Sequence, residues 1–238
     1  MHLFYEPDIQ QRLFLSEEES RHAVKVLRLS TGDTLKIVDG KGFRYEAEIV
    51  DPNPKRCSVR IRSVEQEATA RSFSIHLAIA PTKDLDRIEW MLEKCVEVGV
   101  DQVSFIRTRR TDERYWKGKS IHLDRLEKIA VSALKQSLKL TMPLVEGLIS
   151  WDTFLENLPA DQQKLIAHLE NEDRQLLKYR ATPGGSYVIL IGPEGDFTTQ
   201  EIAEAKEKGF LAVSLGESRL RTETAGLIAV HTLDLLNQ

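Results

Sequence analysis

Three stretches near the start of the chain alternate polar and apolar residues: Thr34–Val38, Arg44–Val50 and Cys57–Val64. Turn residues separate them, at Asp39–Gly42 and at Pro52-Asn53-Pro54. This pattern predicts a hairpin and a third strand, each with one buried face. Upstream, Ser16-Glu17-Glu18-Glu19 has the form of a capping box and predicts a short helix reaching about Leu29. Residues 1–70 are therefore read as a small β-rich unit with the character of a barrel. The polar segment Glu65–Arg71 is the expected linker.

Beyond it the period changes. Phe73–Ala80 is strand-like, and Leu85–Val98 places Ile88, Met91, Leu92, Cys95 and Val96 at helical spacing before Gly99. Val103–Ile106 predicts a short strand, Leu123–Leu140 a helix that stops before Pro143, Trp151–Leu158 a short helix, and Lys164–His168 a strand. Ser186–Gly192 and Phe210–Gly216 are near-continuous apolar runs, as in strands buried on both faces of a parallel sheet. Strands alternating with helices predict an α/β domain over residues 71–238 with a mainly parallel sheet. Ligands of such sheets sit beyond the carboxyl ends of the strands. That marks the turns Pro193-Glu194-Gly195-Asp196-Phe197 and Glu217–Ala225.

In the first turn, Gly192 and Gly195 permit positive φ and close backbone approach, and Pro193 fixes φ and removes a donor. Thr198 is placed to cap the next helix, with Glu201 at the capping-box position and Gly209 at its end. No GxxxxGK[ST] run and no GxGxxG follows a strand, so neither turn is a phosphate cradle. Both suit a neutral ligand read largely through the backbone.

Composition narrows the class. The 238 residues are 41% hydrophobic and 29% charged, which suits a globular chain with a sizeable core. No apolar run is long enough to span a membrane, and MHLFYEPDIQQ lacks the features of a signal peptide. Cys57 and Cys95 form neither a CxxC nor a disulfide framework, and a cytoplasmic setting is expected. The histidines show no metal-binding spacing, so no metal is expected. A net charge of −4 places any nucleic-acid contact locally. The local candidate is residues 107–119, RTRRTDERYWKGK, where basic residues outnumber Asp112 and Glu113 and flank Tyr115 and Trp116. The alternative for this run is a solvated loop.

IGPEGDF followed by LGESRLRTETAG resembles the signature of the RsmE-type ribosomal RNA uracil-N3 methyltransferases, in the SPOUT (α/β-knot) superfamily. The family pattern is close to GPEGG-(F/L) and LG-x-x-(I/L)-LRTETA; Asp196 stands where a third glycine is usual. Weaker likeness extends over the whole chain. His22 and Val26-Leu27-Arg28 resemble an H-x-x-x-V-L-R pattern. Pro81, Lys83, Arg87, Lys94, Glu97, Gly99 and Val100 resemble a helix ending in T-E-L-G-V, here VEVGV. Gln136-Ser137 and Pro143 resemble an E-Q-S-x-R…P segment, with Lys135 in place of Glu and Lys139 near the usual Arg.

The resemblance implies an α/β-knot domain whose C-terminal segment is threaded as a trefoil, preceded by a PUA-like β-barrel that binds RNA. It implies S-adenosylmethionine (SAM) as methyl donor and N3 of a uridine in 16S ribosomal RNA as acceptor. The partner would be that RNA or the assembled small subunit, and the protein a homodimer with its cofactor site near the interface. Arg221 is the catalytic candidate, as a cation for the developing uracil anion, with Glu194 as orienting or hydroxyl-binding carboxylate. The alternative for Arg221 is a salt bridge to Glu194 or Glu223. Cofactor candidates are Leu169, Leu190, Gly192, Glu194, Gly195, Leu215, Gly216, Leu220, Thr222, Thr224 and Ala225. For Thr222 and Thr224, helix capping is the competing role. RNA candidates are Arg12, Arg21, Lys25, Arg28, Arg107, Arg109, Arg110, Gln136 and Lys139, with Arg44 also on the N-terminal unit. His168 and His231 read as core or helix-face residues, and Trp90 as core or dimer interface. Two other readings stand beside this one: a related SPOUT enzyme acting on another RNA site, such as a tRNA ribose hydroxyl, and a ribosome-assembly factor with a broken cofactor turn.

Overall fold

The computed structural model describes residues 3–66, 71–111, 121–170 and 174–238. It divides into two compact units: residues 1–70 with 131–142, and residues 71–130 with 143–238. The first division therefore falls within the linker segment, of which residues 67–70 lie outside the described set. The second falls inside a helix, so the N-terminal unit recruits a piece of later sequence.

The N-terminal unit holds a four-stranded mixed sheet in the order β1 (Leu3–Tyr5), β2 (Thr34–Val38), β3 (Phe43–Asp51), β4 (Ser58–Gln66). β1 runs parallel to β2, and the other pairs are antiparallel. Alternation works as expected: Leu35 and Ile37, then Tyr45, Ala47 and Ile49, then Cys57 and Val59 share one core with Phe4, Ile9, Leu15 and Ala23. β1 and the short helix α1 (Ile9–Arg12) are too brief to show a period. The predicted first helix is α2 (Glu17–Arg21), and its continuation His22–Val26 is a π-helical turn. Ser16 does cap it, but Glu19 does not close the box. Its carboxylate accepts the Tyr5 amide and the Lys135 ammonium instead, and the Ser16 amide goes to Glu6.

The second unit is built on a seven-stranded sheet in which every pair is parallel. Its strands are β5 (Phe73–Ile79), β6 (Gln102–Arg107), β7 (Leu144–Ser150), β8 (Gln162–Ala167), β9 (Gln175–Leu176), β10 (Gly185–Ile191) and β11 (Leu211–Ser214), in the spatial order β7-β6-β5-β10-β8-β11-β9. The helices are α3 (Leu85–Val98), α4 (Leu123–Ser137), α5 (Trp151–Glu156), α6 (Leu177–Arg180), α7 (Thr199–Glu207) and α8 (Thr222–Leu236). α4 ends three residues earlier than expected, where Leu138 turns left-handed at φ 59°. One face of the sheet buries Ala78, Ile106, Val188 and Leu190 under Trp151, Phe154, Ile202 and Ala205 of α5 and α7. Against the other lies α8. A Cβ on Gly226 would come within 3.0 Å of Ile79 Cδ1 and 3.1 Å of Met91 Sδ, so a glycine here lets α8 sit close on β5 and α3. Among the described residues no helix is long and apolar enough to cross a membrane. Both cysteines are free and buried.

Candidate functional site

β8, β10 and β11 are adjacent in the sheet, and their carboxyl ends open into one cavity of about 490 Å³. Ala167-His168-Leu169, Ile191–Asp196 and Val213–Gly216 form three of its sides, and Ser218–Thr222 with Ala225 closes the fourth.

The β10 turn is held from within and from outside. Gly192 does not take positive φ. Its Cβ position lies 3.1 Å from the Phe197 amide nitrogen and 3.2 Å from that ring, so it is close packing that requires glycine here. Gly195 does need its freedom, at φ 101°, and Asp196 follows at φ 68°. The Asp196 amide closes the turn on the Pro193 carbonyl at 3.0 Å. Phe197 is buried beside Trp151, with ring centroids 5.5 Å apart. Thr198 and Glu201 form the complete capping box. Glu201 is fully buried and spends its other oxygen on the Arg109 amide at 2.6 Å. From the loop after β6, Arg110 donates to the carbonyls of Gly195 at 2.5 Å and Phe197 at 3.2 Å.

The second turn begins with Gly216 at φ 128°, stitched to Ser214 Oγ through both its amide and its carbonyl. α8 then starts behind Arg221, whose side chain makes no cap. Thr222 does not cap either: its hydroxyl donates to the Gly192 carbonyl at 3.2 Å and joins the two turns. Glu223 is buried and pairs with Arg87 at 3.6 Å, which also meets Asp84 at 3.4 Å. Glu194 lies 4.0 Å from Lys83. The expected alternatives for Arg221 are thereby taken by other cations. Among the described residues Arg221 and Arg219 have no hydrogen-bond or ion-pair partner for their guanidinium groups, and both line the cavity.

Of the cofactor candidates, Leu169, Gly192, Glu194, Gly195, Leu215, Gly216, Leu220, Thr222 and Ala225 line the cavity. Leu190 and Thr224 do not. Leu190 points to the opposite, helix-covered face and is fully buried in the core, while its neighbour Ile191 reaches the wall. Arg87, His168, Arg174, Asp196 and Arg219, none of them named as a cofactor candidate, also line it. Arg174 donates to the His168 carbonyl and so braces the β8 loop.

The RNA candidates separate into engaged and free groups. Arg12 pairs with Asp8 at 3.2 Å and Arg21 with Glu17 at 2.9 Å, each within its own helical turn. Arg44 is joined to Glu65 at 2.5 Å. Arg109 makes a two-pronged bond to Glu204, at 3.0 and 2.8 Å; this hydrogen bonding pushes the arginine pKa up and the glutamate's down. Arg109 and Arg110 therefore tie the loop after β6 to α7 and to the turn after β10. Lys139 is also engaged. Lys25, Arg28, Arg107 and Gln136 are exposed and have no partner among the described residues. The aromatic half of the basic run, with Tyr115 and Trp116, lies outside those residues. His168 is buried and His231 exposed on α8; Trp90 is 43% exposed and so is not core.

The family described as RNA methyltransferase domain matches residues 69–234, and that described as RNA methyltransferase PUA domain matches residues 15–62. A probable rRNA-methyltransferase from Porphyromonas gingivalis is 42% identical, with a TM-score of 0.91 over 99% of each chain. A ribosomal RNA small subunit methyltransferase E from Neisseria gonorrhoeae, solved bound to S-adenosyl methionine, is 31% identical, with a TM-score of 0.86 over 100% of this chain and 98% of that one. The ribosomal RNA small subunit methyltransferase E of Rickettsia conorii is 28% identical over 228 residues, 94% of this chain and 90% of its own.

Proposed function

The chain belongs to the RNA methyltransferase family, and we propose that it methylates N3 of a uridine in small-subunit ribosomal RNA, using SAM, in the cytoplasm. The observation that carries this reading is the unpaired guanidinium of Arg221 on the wall of a cavity built from three parallel strand ends. The cavity has the volume of a small-ligand site, for which about 300–1,000 Å³ is usual. Its walls suit SAM: Ile191, Val213, Leu215 and Leu220 offer apolar surface, the two turns offer backbone groups, and Glu194 offers a carboxylate to hydroxyls. When bound, that cofactor supplies an electrophilic methyl group.

Uracil N3 carries a proton and becomes a nucleophile only when that proton leaves, to solvent water or hydroxide. The Arg221 cation stabilises the negative charge that develops on the base as this happens. The fixed turns hold the reacting groups in line. The exposed cations Lys25, Arg28 and Arg107 supply phosphate contacts, which position the RNA without reading its sequence. The test is to incubate the protein with SAM and small ribosomal subunits lacking the modification, digest the RNA, and analyse nucleosides by mass spectrometry. N3-methyluridine is the expected product, dependent on SAM. A ribose-methylated nucleoside would move the protein to another RNA reaction, and no product from a chain that binds SAM would remove this substrate.

We further propose a homodimer through the face of α3 and α8, which pack together and leave Trp90 and Leu235 43% and 59% exposed. Sedimentation equilibrium is expected to give twice the 27.1 kDa chain mass, and a Trp90→Glu variant to shift toward monomer. A wild-type monomer at micromolar concentration would reject it.

A further inference from the structure

Asp196 breaks a turn rule and puts the broken position to use. It holds φ at 68°, in a region that most side chains avoid. Short polar side chains tolerate this conformation because they can hydrogen-bond locally, and Asp196 does so: Oδ1 accepts the Phe197 amide at 2.8 Å. Its other oxygen reaches a residue 27 positions earlier, where Oδ2 accepts the Leu169 amide at 2.6 Å. A glycine would adopt the same φ and make neither bond. The next residue of that loop is tied as well. Glu170 accepts the Thr199 hydroxyl at 2.6 Å, in the first turn of α7.

The β8 loop is thus fastened once to the β10 turn and once to the start of α7. This matters to the cavity because the Leu169 side chain, 54% exposed, forms part of its wall. An apolar residue on an exposed loop is ordinarily mobile. Here its backbone is anchored by a carboxylate whose described partners are both amide N–H groups, the strong, charge-assisted class of hydrogen bond. We propose that Asp196 is a positioning residue: it clips the β8 loop to the glycine turn and so sets Leu169 as a fixed apolar wall of the cofactor cavity. The proposal rests on the reading that this cavity takes SAM.

The test uses the full-length chain and its Asp196→Gly and Asp196→Asn variants. Three quantities are measured: the SAM dissociation constant by titration calorimetry, kcat and KM for SAM, and hydrogen exchange at the Leu169 amide. In Asp196→Gly, which keeps the turn conformation, the dissociation constant and KM are expected to rise about tenfold, equivalent to about 1.4 kcal/mol. kcat should stay within about twofold, because the clip touches no reacting atom. Leu169 exchange should accelerate. Asp196→Asn keeps one acceptor oxygen and is expected to fall between the two. Wild-type SAM affinity in Asp196→Gly, unchanged Leu169 exchange, or a fall in kcat matching the rise in KM would each overturn the proposal. A wild-type chain that binds no SAM would overturn the functional reading instead, and is distinguishable because Leu169 exchange would still respond to Asp196→Gly.

Discussion

Replacing Arg221 by alanine is expected to lower turnover by about two to three orders of magnitude, the usual cost of removing one preorganised group that meets transition-state charge. The dissociation constant for SAM should change by less than about threefold, because the interaction is made to the reacting base and develops with its charge. The structure supports this split. Glu223 is already held by Arg87 and Glu194 lies beside Lys83, so removing Arg221 leaves no buried carboxylate unpaired. α8 starts behind Arg221 without help from its side chain. Arg221→Lys keeps the charge but not the planar fork, and is expected to lose about tenfold. Single-turnover methyl transfer at saturating SAM, with calorimetric SAM binding beside it, measures both halves. Parallel loss of binding and turnover would show that Arg221 shapes the second turn instead of acting on the substrate.

The places where the site lies were legible because burial leaves a pattern. Strands covered on both faces cannot alternate, and the runs Ser186–Gly192 and Phe210–Gly216 stand out from the chain for that reason. α3 was bounded to the residue, because Gly99 at φ 128° ends it and five buried apolar side chains fix its period. β7 left no such trace. It is an edge strand with a glycine in its middle, its interior residues are half-buried, and neither face is strongly apolar. β9, with two residues, is too short for any period.

Within the site, residue type was a weaker guide than position. Arg109 and Arg110 are RNA candidates for their basic run; that Glu201, Glu204 and two turn carbonyls lie within their reach is invisible to composition, which carries no information about acceptors 85 to 95 residues away. Leu190 and Ile191 differ only in strand parity, which sends one to the core and the other to the cavity. Asp196 read as a departure from a glycine pattern; its conformation and its reach to Leu169 exist only once β8 and β10 are neighbours. The threading implied by family resemblance likewise leaves no periodic mark.

His76 shows the same limit, and it sets the second large effect: stability should fall steeply in mild acid. It sits in the apolar run of β5, buried, with Nε2 2.7 Å from Ser104 Oγ. The Ser104 hydroxyl donates to Glu146, which also accepts Gln102 at 2.9 Å, and the edge of the Phe154 ring closes the other side at 5.7 Å. Burial disfavours the imidazolium and pulls its pKa down to about 4, against a smaller opposing pull from the Glu146 carboxylate. Above pH 6.5 the ring is neutral in both the folded and unfolded chain, and it exacts no penalty. Between pH 6.5 and 4 the unfolded chain takes up a proton that the native state refuses, so stability drops by up to 1.36 kcal/mol per pH unit and by about 3 kcal/mol at pH 4. His76→Gln keeps a donor to Ser104 and does not titrate. The stability difference between wild type and this variant, from urea unfolding at pH 7 and pH 4, is therefore expected to move by about 3 kcal/mol in the variant's favour. An unchanged difference would mean that the imidazole protonates in place, with Glu146 as its counter-ion across Ser104.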